Sequence, residues 1–273
     1  MPTASADVLE TRPLLVAFDL DDTLAPSKSP VPDAMVARLR GLLDVAQVAV
    51  ISGGRFAQFH SQVVRRLGDA SEDELRRLHL LPACGTQYYR YAGADAAVAD
   101  AAANDGWHRE YAENLSDDEK ARALAAVETA ARELGLWEAN PWGAILEDRE
   151  SQITFSALGQ EAPVDAKSAW DPDGAKRLRL RAAVAAVLPD LEVRAGGSTS
   201  IDITRPGIDK AYGMRKLAEL TGIDLDDMLF IGDRLDPDGN DYPVKALGVR
   251  CIAVSGHLAT PAVVDRVIAR LEG

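Results

Sequence analysis

Asp19-Leu20-Asp21-Asp22-Thr23 arrives directly after the apolar run Leu14-Leu15-Val16-Ala17-Phe18. A short apolar run holding a β-branched residue and an aromatic, stopped abruptly by carboxylates, reads as a buried strand that delivers acids to its carboxyl end. Open α/β sheets keep their ligands at that end.

Working outward, Ala25 to Pro32 is a proline- and serine-rich loop, and Pro32 suits the first turn of a helix carrying Met35, Val36, Leu39, Leu42 and Leu43. Val45 to Ile51 is a second apolar strand, ending in Ser52-Gly53-Gly54-Arg55 before a helix that Gly68 terminates. Ser71-x-x-Glu74 is a capping box, and Leu78 to Ala83 a third strand. Strand, loop, helix and strand without a hairpin signal make parallel βαβ units, and this predicts a doubly wound, mostly parallel α/β sheet.

From Thr86 the pattern changes. Gln87–Tyr91 and Trp107–Tyr111 read as strands, Ser116-x-x-Glu119 caps a helix ending at Gly135, and Ala144–Leu146 with Ile153–Leu158 makes a hairpin. A helix over Asp173–Leu188 and a second hairpin, Leu191–Arg194 with Ser200–Thr204, follow. We therefore expect an inserted α+β cap at 86–205, holding all four tryptophans, and a discontinuous core at 1–85 and 206–273. Two chain crossings let such a cap rock and gate access to the acids. Ala92 to Ala103 reads as a loop or surface helix of little chemical content. The βα pattern returns at Asp209-Lys210, with strands at Met228–Ile231 and Val249–Val254 and a closing helix over Thr260–Leu271.

With 43 acidic against 30 basic residues the chain carries a net charge of −13. That balance disfavours nucleic acid and anionic membranes as partners, and it means an anionic substrate needs a cation to receive it. Cys84 and Cys251 have no paired spacing, no segment approaches a membrane span, and the first residues carry no secretory pattern. The expectation is a cytoplasmic protein with reduced thiols; the oligomeric state stays open, a homodimer included.

Four groups carry candidate chemistry. Asp19 and Asp21 are paired carboxylates, one able to attack phosphorus and the other to move a proton. Ser52, with the amides of Gly53 and Gly54, can hold phosphate oxygens. Lys210 can neutralise charge on the group in transfer. Gly232-Asp233 adds a carboxylate for a hard cation, which an all-oxygen site and a phosphate make Mg²⁺, and Asn240-Asp241 can orient it from behind. Asp233 to Asp241 does not fit a calcium loop, because Arg234 and Lys245 fall on ligand places. Lys176, Arg177, Arg179 and Arg181 read as a wet helix face, and the four histidines show no ligand spacing.

These groups, in this order, resemble the four motifs of the haloacid dehalogenase superfamily. The cap's place between the second motif and the lysine resembles the type IIB subgroup of sugar-phosphate phosphatases and eukaryotic-type phosphomannomutases. The resemblance implies a Rossmann-like core, Asp19 as nucleophile, Asp21 as acid and base, and Mg²⁺ bound by Asp19, the Asp21 carbonyl and Asp233. Gly232-Asp233-Arg234-Leu235-Asp236-Pro237-Asp238-Gly239-Asn240-Asp241 and Gly196-Gly197-Ser198-Thr199-Ser200-Ile201-Asp202-Ile203 are similar to phosphomannomutase stretches. From them Arg149, Ser200 and Asp202 are implied substrate contacts. Gln160 and Lys167 stand where that family has further cap arginines, which weakens a clamp for a second phosphate and favours a phosphatase over a mutase. A catalytically silent sugar-phosphate binding protein is the third reading.

Overall fold

The structure is a computed structural model that describes residues 7–93 and 105–273. Most of the alanine-rich stretch from Ala92 to Ala103 lies outside them. In chain order the first elements are β1 (Leu15–Phe18), α1 (Asp33–Val45), β2 (Gln47–Ile51), α2 (Phe56–Gln62), α3 (Glu72–Arg76), β3 (Leu78–Leu81), β4 (Gln87–Tyr91) and β5 (Trp107–Ala112). There follow α4 (Asp117–Glu133), β6 (Leu146–Asp148), β7 (Ile153–Ser156), α5 (Val164–Trp170), α6 (Ala175–Val187), β8 (Glu192–Ala195) and β9 (Ser200–Thr204). The chain ends with α7 (Lys210–Thr221), β10 (Met228–Gly232), α8 (Tyr242–Ala246), β11 (Arg250–Ala253) and α9 (Thr260–Glu272).

The chain divides into two compact units, Met1–Ala112 with Ile208–Gly273, and Glu113–Gly207. In the first, seven strands lie in the order β11-β10-β1-β2-β3-β4-β5. The five from β11 to β3 are parallel; β4 then pairs antiparallel with β3, and β5 antiparallel with β4. Alternation along each parallel strand feeds two cores. Val16, Phe18, Val48, Val50, Leu229 and Ile231 pack with the apolar stripe of α1 and with Val263, Val264 and Val267 of α9. Leu15, Ala17, Ala49, Ile51 and Phe230 face Met214 and Leu217 of α7. Buried on both faces, these strands are continuously apolar, as a covered parallel sheet requires. After β1 the chain moves to β2 on one side, whereas β10 joins β1 on the other. The carboxyl end of β1 is therefore a topological switch point, where the strand order leaves a crevice.

The boundary predicted at residue 86 moves to 113. β4 and β5 continue the first unit's sheet, through His79 opposite Arg90 and Leu80 opposite Tyr89, and then Tyr91 opposite Trp107. The physical reason is apolar area: Tyr88, Tyr89 and Trp107 are almost wholly buried there. Trp107 packs edge-on against Tyr91 in that sheet, so it is not one of the insert's tryptophans as expected.

The second unit is an antiparallel sheet, β6-β7-β9-β8. One face carries Ile153, Phe155, Ile201, Ile203 and Val193, buried with Ala123 and Val127 of α4 and Leu180 and Val184 of α6. Residues paired across the other face are polar: Glu147, Thr154, Asp202 and Arg194 form one row. Ser116 and Glu119 close the reciprocal cap expected at the start of α4. The helix α5 was not foreseen; its seven residues bury no side chain, so no apolar stripe announces it.

Candidate active site

β1 ends where its side chains turn from apolar to acidic, but the backbone pairing continues one step further, with the Asp19 amide donating to the Ile231 carbonyl at 3.1 Å. Asp22 then adopts a left-handed conformation, φ 62°, which Asp tolerates better than bulkier residues. Its amide donates to the Ala25 carbonyl (2.7 Å), and Leu20, Leu24 and Ala25 are fully buried. The loop is therefore pinned by its own apolar residues, and Asp19 is held at the switch point with 5% of its surface exposed.

Lys210 comes to the same point from α7. Asp209 caps that helix by accepting from the Tyr212 amide (2.9 Å), which makes Lys210 its first residue. The helix lies very close to the 83–85 turn. A Cβ on Gly213 would meet the Cys84 carbonyl oxygen at 2.8 Å, and one on Gly85, whose φ is +90°, would meet the Gly213 Cα at 2.5 Å. Two glycines thus set how deep the helix sits, and with it the lysine. Lys210 is 1% exposed, and its Nζ lies 2.5 Å from an oxygen of Asp19 and 2.5 Å from one of Asp241.

Asp241, fully buried, is fixed from behind by the Arg234 amide, which donates to Oδ2 at 3.0 Å. Gly232 leaves room for it, since a Cβ there would stand 2.3 Å from that oxygen. Asp233 is held by Thr23, whose hydroxyl donates to Oδ1 (3.0 Å) and accepts from the Asp233 amide (3.1 Å). Thr260 in turn donates to the Thr23 carbonyl at 2.7 Å.

Asp19, Asp233 and Asp241 each offer a carboxylate oxygen, all within 4.8 Å of one another. Against one ammonium they leave an excess of two negative charges, and an oxygen-only donor set suits a hard divalent cation, so the residues present fit Mg²⁺. Burial pushes the Asp19 carboxyl up, Lys210 pulls it back and Asp241 lifts it again, to about 7. Burial works against the charge of Lys210 but is outweighed by the two carboxylates, and its ammonium is held above the usual lysine range.

Ser52 sits at the end of β2, nearly buried, its Oγ accepting from the Gly54 amide at 3.2 Å. The Ala83 and Cys84 amides donate to the Gly54 and Ser52 carbonyls, each at 2.9 Å. Both of those residues are left-handed, φ 47° and 57°. Non-glycine residues in that region carry a strain of roughly 1–2 kcal/mol each, so the surrounding packing must over-determine this support for the Ser52–Gly54 loop. A Cβ on Gly53 would meet open space.

The Asp21 side chain is not among the grouped carboxylates. It faces α2 and the loop between β1 and α1, accepting from the Lys28 amide (2.7 Å), from Gln58 Nε2 (2.8 Å) and from Gln62 Nε2 (3.3 Å). Asn240, predicted to stand behind the metal with Asp241, is exposed; Asp241 alone reaches the cluster. Sequence reasoning missed Thr23 and Thr260 as supports, and Gln58 and Gln62 as partners of Asp21. Only the four-residue spacing of the glutamines on one helix could have signalled them.

In the second unit, Ser200 and Asp202 share a strand face, as period two predicts. A Cβ on Gly196 would lie 2.6 Å from the Ser200 Oγ and 2.8 Å from Asp202 Oδ2, so that glycine leaves room for both. Asp202 Oδ1 accepts from Thr154 (2.7 Å) and Gln152 (2.8 Å). Burial lifts its carboxyl above the usual range against the pull of Arg149. Arg149 pairs with Glu147 at 2.8 Å, both side chains mostly covered. Lys167 donates to the Gln160 carbonyl at 3.0 Å.

A family model described as haloacid dehalogenase-like hydrolase matches residues 166–243, a span that includes Lys210 and Asp233 but not Asp19. The phosphomannomutase of Schizosaccharomyces pombe is 24% identical over 236 residues, 84% of this chain and 84% of that protein. That of Spinacia oleracea is 22% identical over 253 residues, 87% and 89%. Among solved structures, an IMP-bound IMP-nucleotidase of Plasmodium falciparum superposes with a TM-score of 0.69 at 14% identity, over 97% of this chain and 69% of that one. A haloacid dehalogenase-like hydrolase from Bacteroides thetaiotaomicron gives 0.60 at 12%, over 93% and 98%. At such identities the superpositions speak for the fold. The family model and the two relatives make the chain similar to haloacid dehalogenase-like hydrolases and to phosphomannomutases.

Proposed function

We propose that the protein is a cytoplasmic, Mg²⁺-dependent phosphohydrolase of small phosphorylated metabolites, most naturally sugar phosphates, working through phospho-Asp19. The observation that carries this reading is Lys210: an ammonium buried between Asp19 and a second carboxylate, at the carboxyl end of the central strand. A surface lysine needs no such burial, whereas a group that stabilises charge on a phosphoryl in transfer is most effective when water is excluded.

In this mechanism Asp19 attacks phosphorus and the bond to the leaving oxygen breaks. Asp21 gives that oxygen its proton, then takes one from the water that cleaves the acyl phosphate. Ser52 and the Gly53 and Gly54 amides hold the non-bridging oxygens, and Lys210 offsets their charge. Asp19, the Asp21 carbonyl and Asp233 are the groups that would hold the metal, with Asp241 holding Lys210 in place; a Mg²⁺ ion bound there would supply charge neutralisation for the phosphate. Arg149, Ser200 and Asp202 are the proposed sugar contacts.

A panel of sugar phosphates, nucleotides and phospholipid head groups, assayed for released phosphate with Mg²⁺, tests the substrate class. Activity confined to nucleotides or head groups overturns it. Asp19→Asn should lower turnover by about four orders of magnitude or more. If it leaves nothing to lose, the binding-protein reading takes over. The two phosphomannomutase relatives favour a second reading, a phosphate-shifting isomerase. Mannose 1-phosphate with a bisphosphate activator separates the two, since mannose 6-phosphate formed with little free phosphate means a mutase.

A further inference from the structure

We infer that Gln58 and Gln62 are positioning residues that aim the Asp21 carboxylate, and that Gln58 ties its aim to the state of the Ser52–Gly54 loop. This rests on the proposed reaction, in which Asp21 moves the proton.

Both oxygens of Asp21 are engaged by donors that a solvated acid would not need. Gln58 Nε2 donates to Oδ2 at 2.8 Å; Gln62 Nε2 (3.3 Å) and the Lys28 amide (2.7 Å) donate to Oδ1. The glutamines stand four apart on α2, the spacing that puts two side chains on one helix face. Gln62 is 2% exposed, and its Nε2 also donates to the Ser29 carbonyl at 2.6 Å, so the nitrogen end of the amide is held by two acceptors. Lys28 holds a left-handed φ of 55° to present its amide. That is backbone strain accepted at a carboxylate contact, which favours a set orientation over a chance one.

Gln58 also reaches the other way. A Cβ on Gly54 would meet its Oε1 at 2.3 Å, so the amide that holds Asp21 lies directly against the backbone of the loop proposed to bind phosphate. Gly54 carries no left-handed φ, so a side chain there would act by displacing the end of Gln58. A phosphate drawn onto the loop presses on Gln58 and, through one side chain, on the proton donor. One oxygen of Gln62, Oε1, is buried without a hydrogen-bond partner among the described residues, which leaves that amide an acceptor to use if the arrangement shifts.

The test compares leaving groups. The rate of phosphoenzyme formation is measured from p-nitrophenyl phosphate, which departs without a proton, and from the fastest sugar phosphate of the panel, which needs one. Gln58→Met and Gln62→Met keep an unbranched side chain and remove the donor. For each we expect the sugar phosphate rate to fall at least tenfold more than the p-nitrophenyl phosphate rate, with the apparent KM for either substrate moving less than threefold. Equal losses on both substrates, or none, overturn the inference, because a merely structural role does not distinguish leaving groups. Gln58 is only half-buried, so its variant reports even if Gln62→Met does not fold. Asp21→Asn is the control. If it shows the selective loss and the glutamine variants do not, only the inference falls; if it shows none, or no sugar phosphate is turned over, the proposed function falls with it.

Discussion

The charged groups at the ends of β1 and β10 and those on the polar face of the second unit's sheet are assembled by opposite means. At the first place, backbone features deliver the side chains: a strand end, a helix cap, and glycines at 85, 213 and 232 where any Cβ would collide. Asp19, Asp241 and Lys210 are buried and satisfy one another. At the second, Glu147, Thr154, Asp202 and Arg194 are successive partners across strands, and the row exists because antiparallel register puts opposite residues on one face. The first cluster is costly to disturb and leaves little room for variation. The second depends on pairwise contacts across strands, Thr154 and Gln152 donating to Asp202 and Arg149 pairing with Glu147, so each substitution there disturbs a local contact.

The largest effect should come from emptying the buried cluster of its cation. Lys210→Met leaves two carboxylates buried without a partner, and breaking such a pair costs about 3–5 kcal/mol. Urea denaturation should show that loss. Lys210→Met combined with Asp241→Asn should regain much of the stability and none of the activity. If the single variant is as stable as the parent, the cluster is not the tightly coupled unit described here.

A buried group of the same unit without a charge partner should show the next effect. His79 is held between the Tyr88 hydroxyl (2.6 Å) and Gln47 Oε1 (2.7 Å); burial keeps the ring neutral, and with Nε2 donating to the amide oxygen, Nδ1 accepts from the tyrosine. Burial pushes its pKa down from 6.5 to about 4. The unfolded chain therefore binds the extra proton first. Stability is full above pH 6.5 and declines as the pH falls from there to about 4, by roughly 3 kcal/mol in all. His79→Gln should flatten that part of the stability curve, measured by denaturation at a series of pH values. An unchanged slope would assign it to other groups.

The amino-acid sequence shows the first region's chemistry better than its supports. Asp19, Ser52, Lys210 and Asp233 stand at strand ends or just past a cap, where a change from apolar to polar is visible along the chain. Asp241 and Asn240 look alike in the sequence, yet one is buried and one exposed, because the turn from Arg234 to Asp241 closes on a backbone contact that spacing does not disclose. Gln58 and Gln62 are legible as a pair, but not the direction they face. The boundary at 86 misplaced β4 and β5 because the aromatic strand of 87–91 has the same period whichever sheet accepts it. Only its pairing with Leu80 and His79, a tertiary fact, decides.

Two smaller substitutions sharpen the contrast between the regions. Thr23→Val keeps the shape of a side chain whose hydroxyl both donates to and accepts from Asp233. With the aspartate loosened, the Mg²⁺ concentration for half-maximal turnover should rise about 10–100-fold, the usual size of a lost support behind a ligand. Arg149→Ala removes a mostly covered charge paired with Glu147 and close enough to influence Asp202. If the polar row binds the sugar equally in ground and transition states, KM for the best sugar phosphate should rise about tenfold while kcat moves little. A parallel fall in kcat would mean that this unit's residues act on the transition state as well, and that the division between a rigid chemical cluster and a binding face is too sharp. An unchanged KM would leave Arg149 a partner of Glu147 and nothing more.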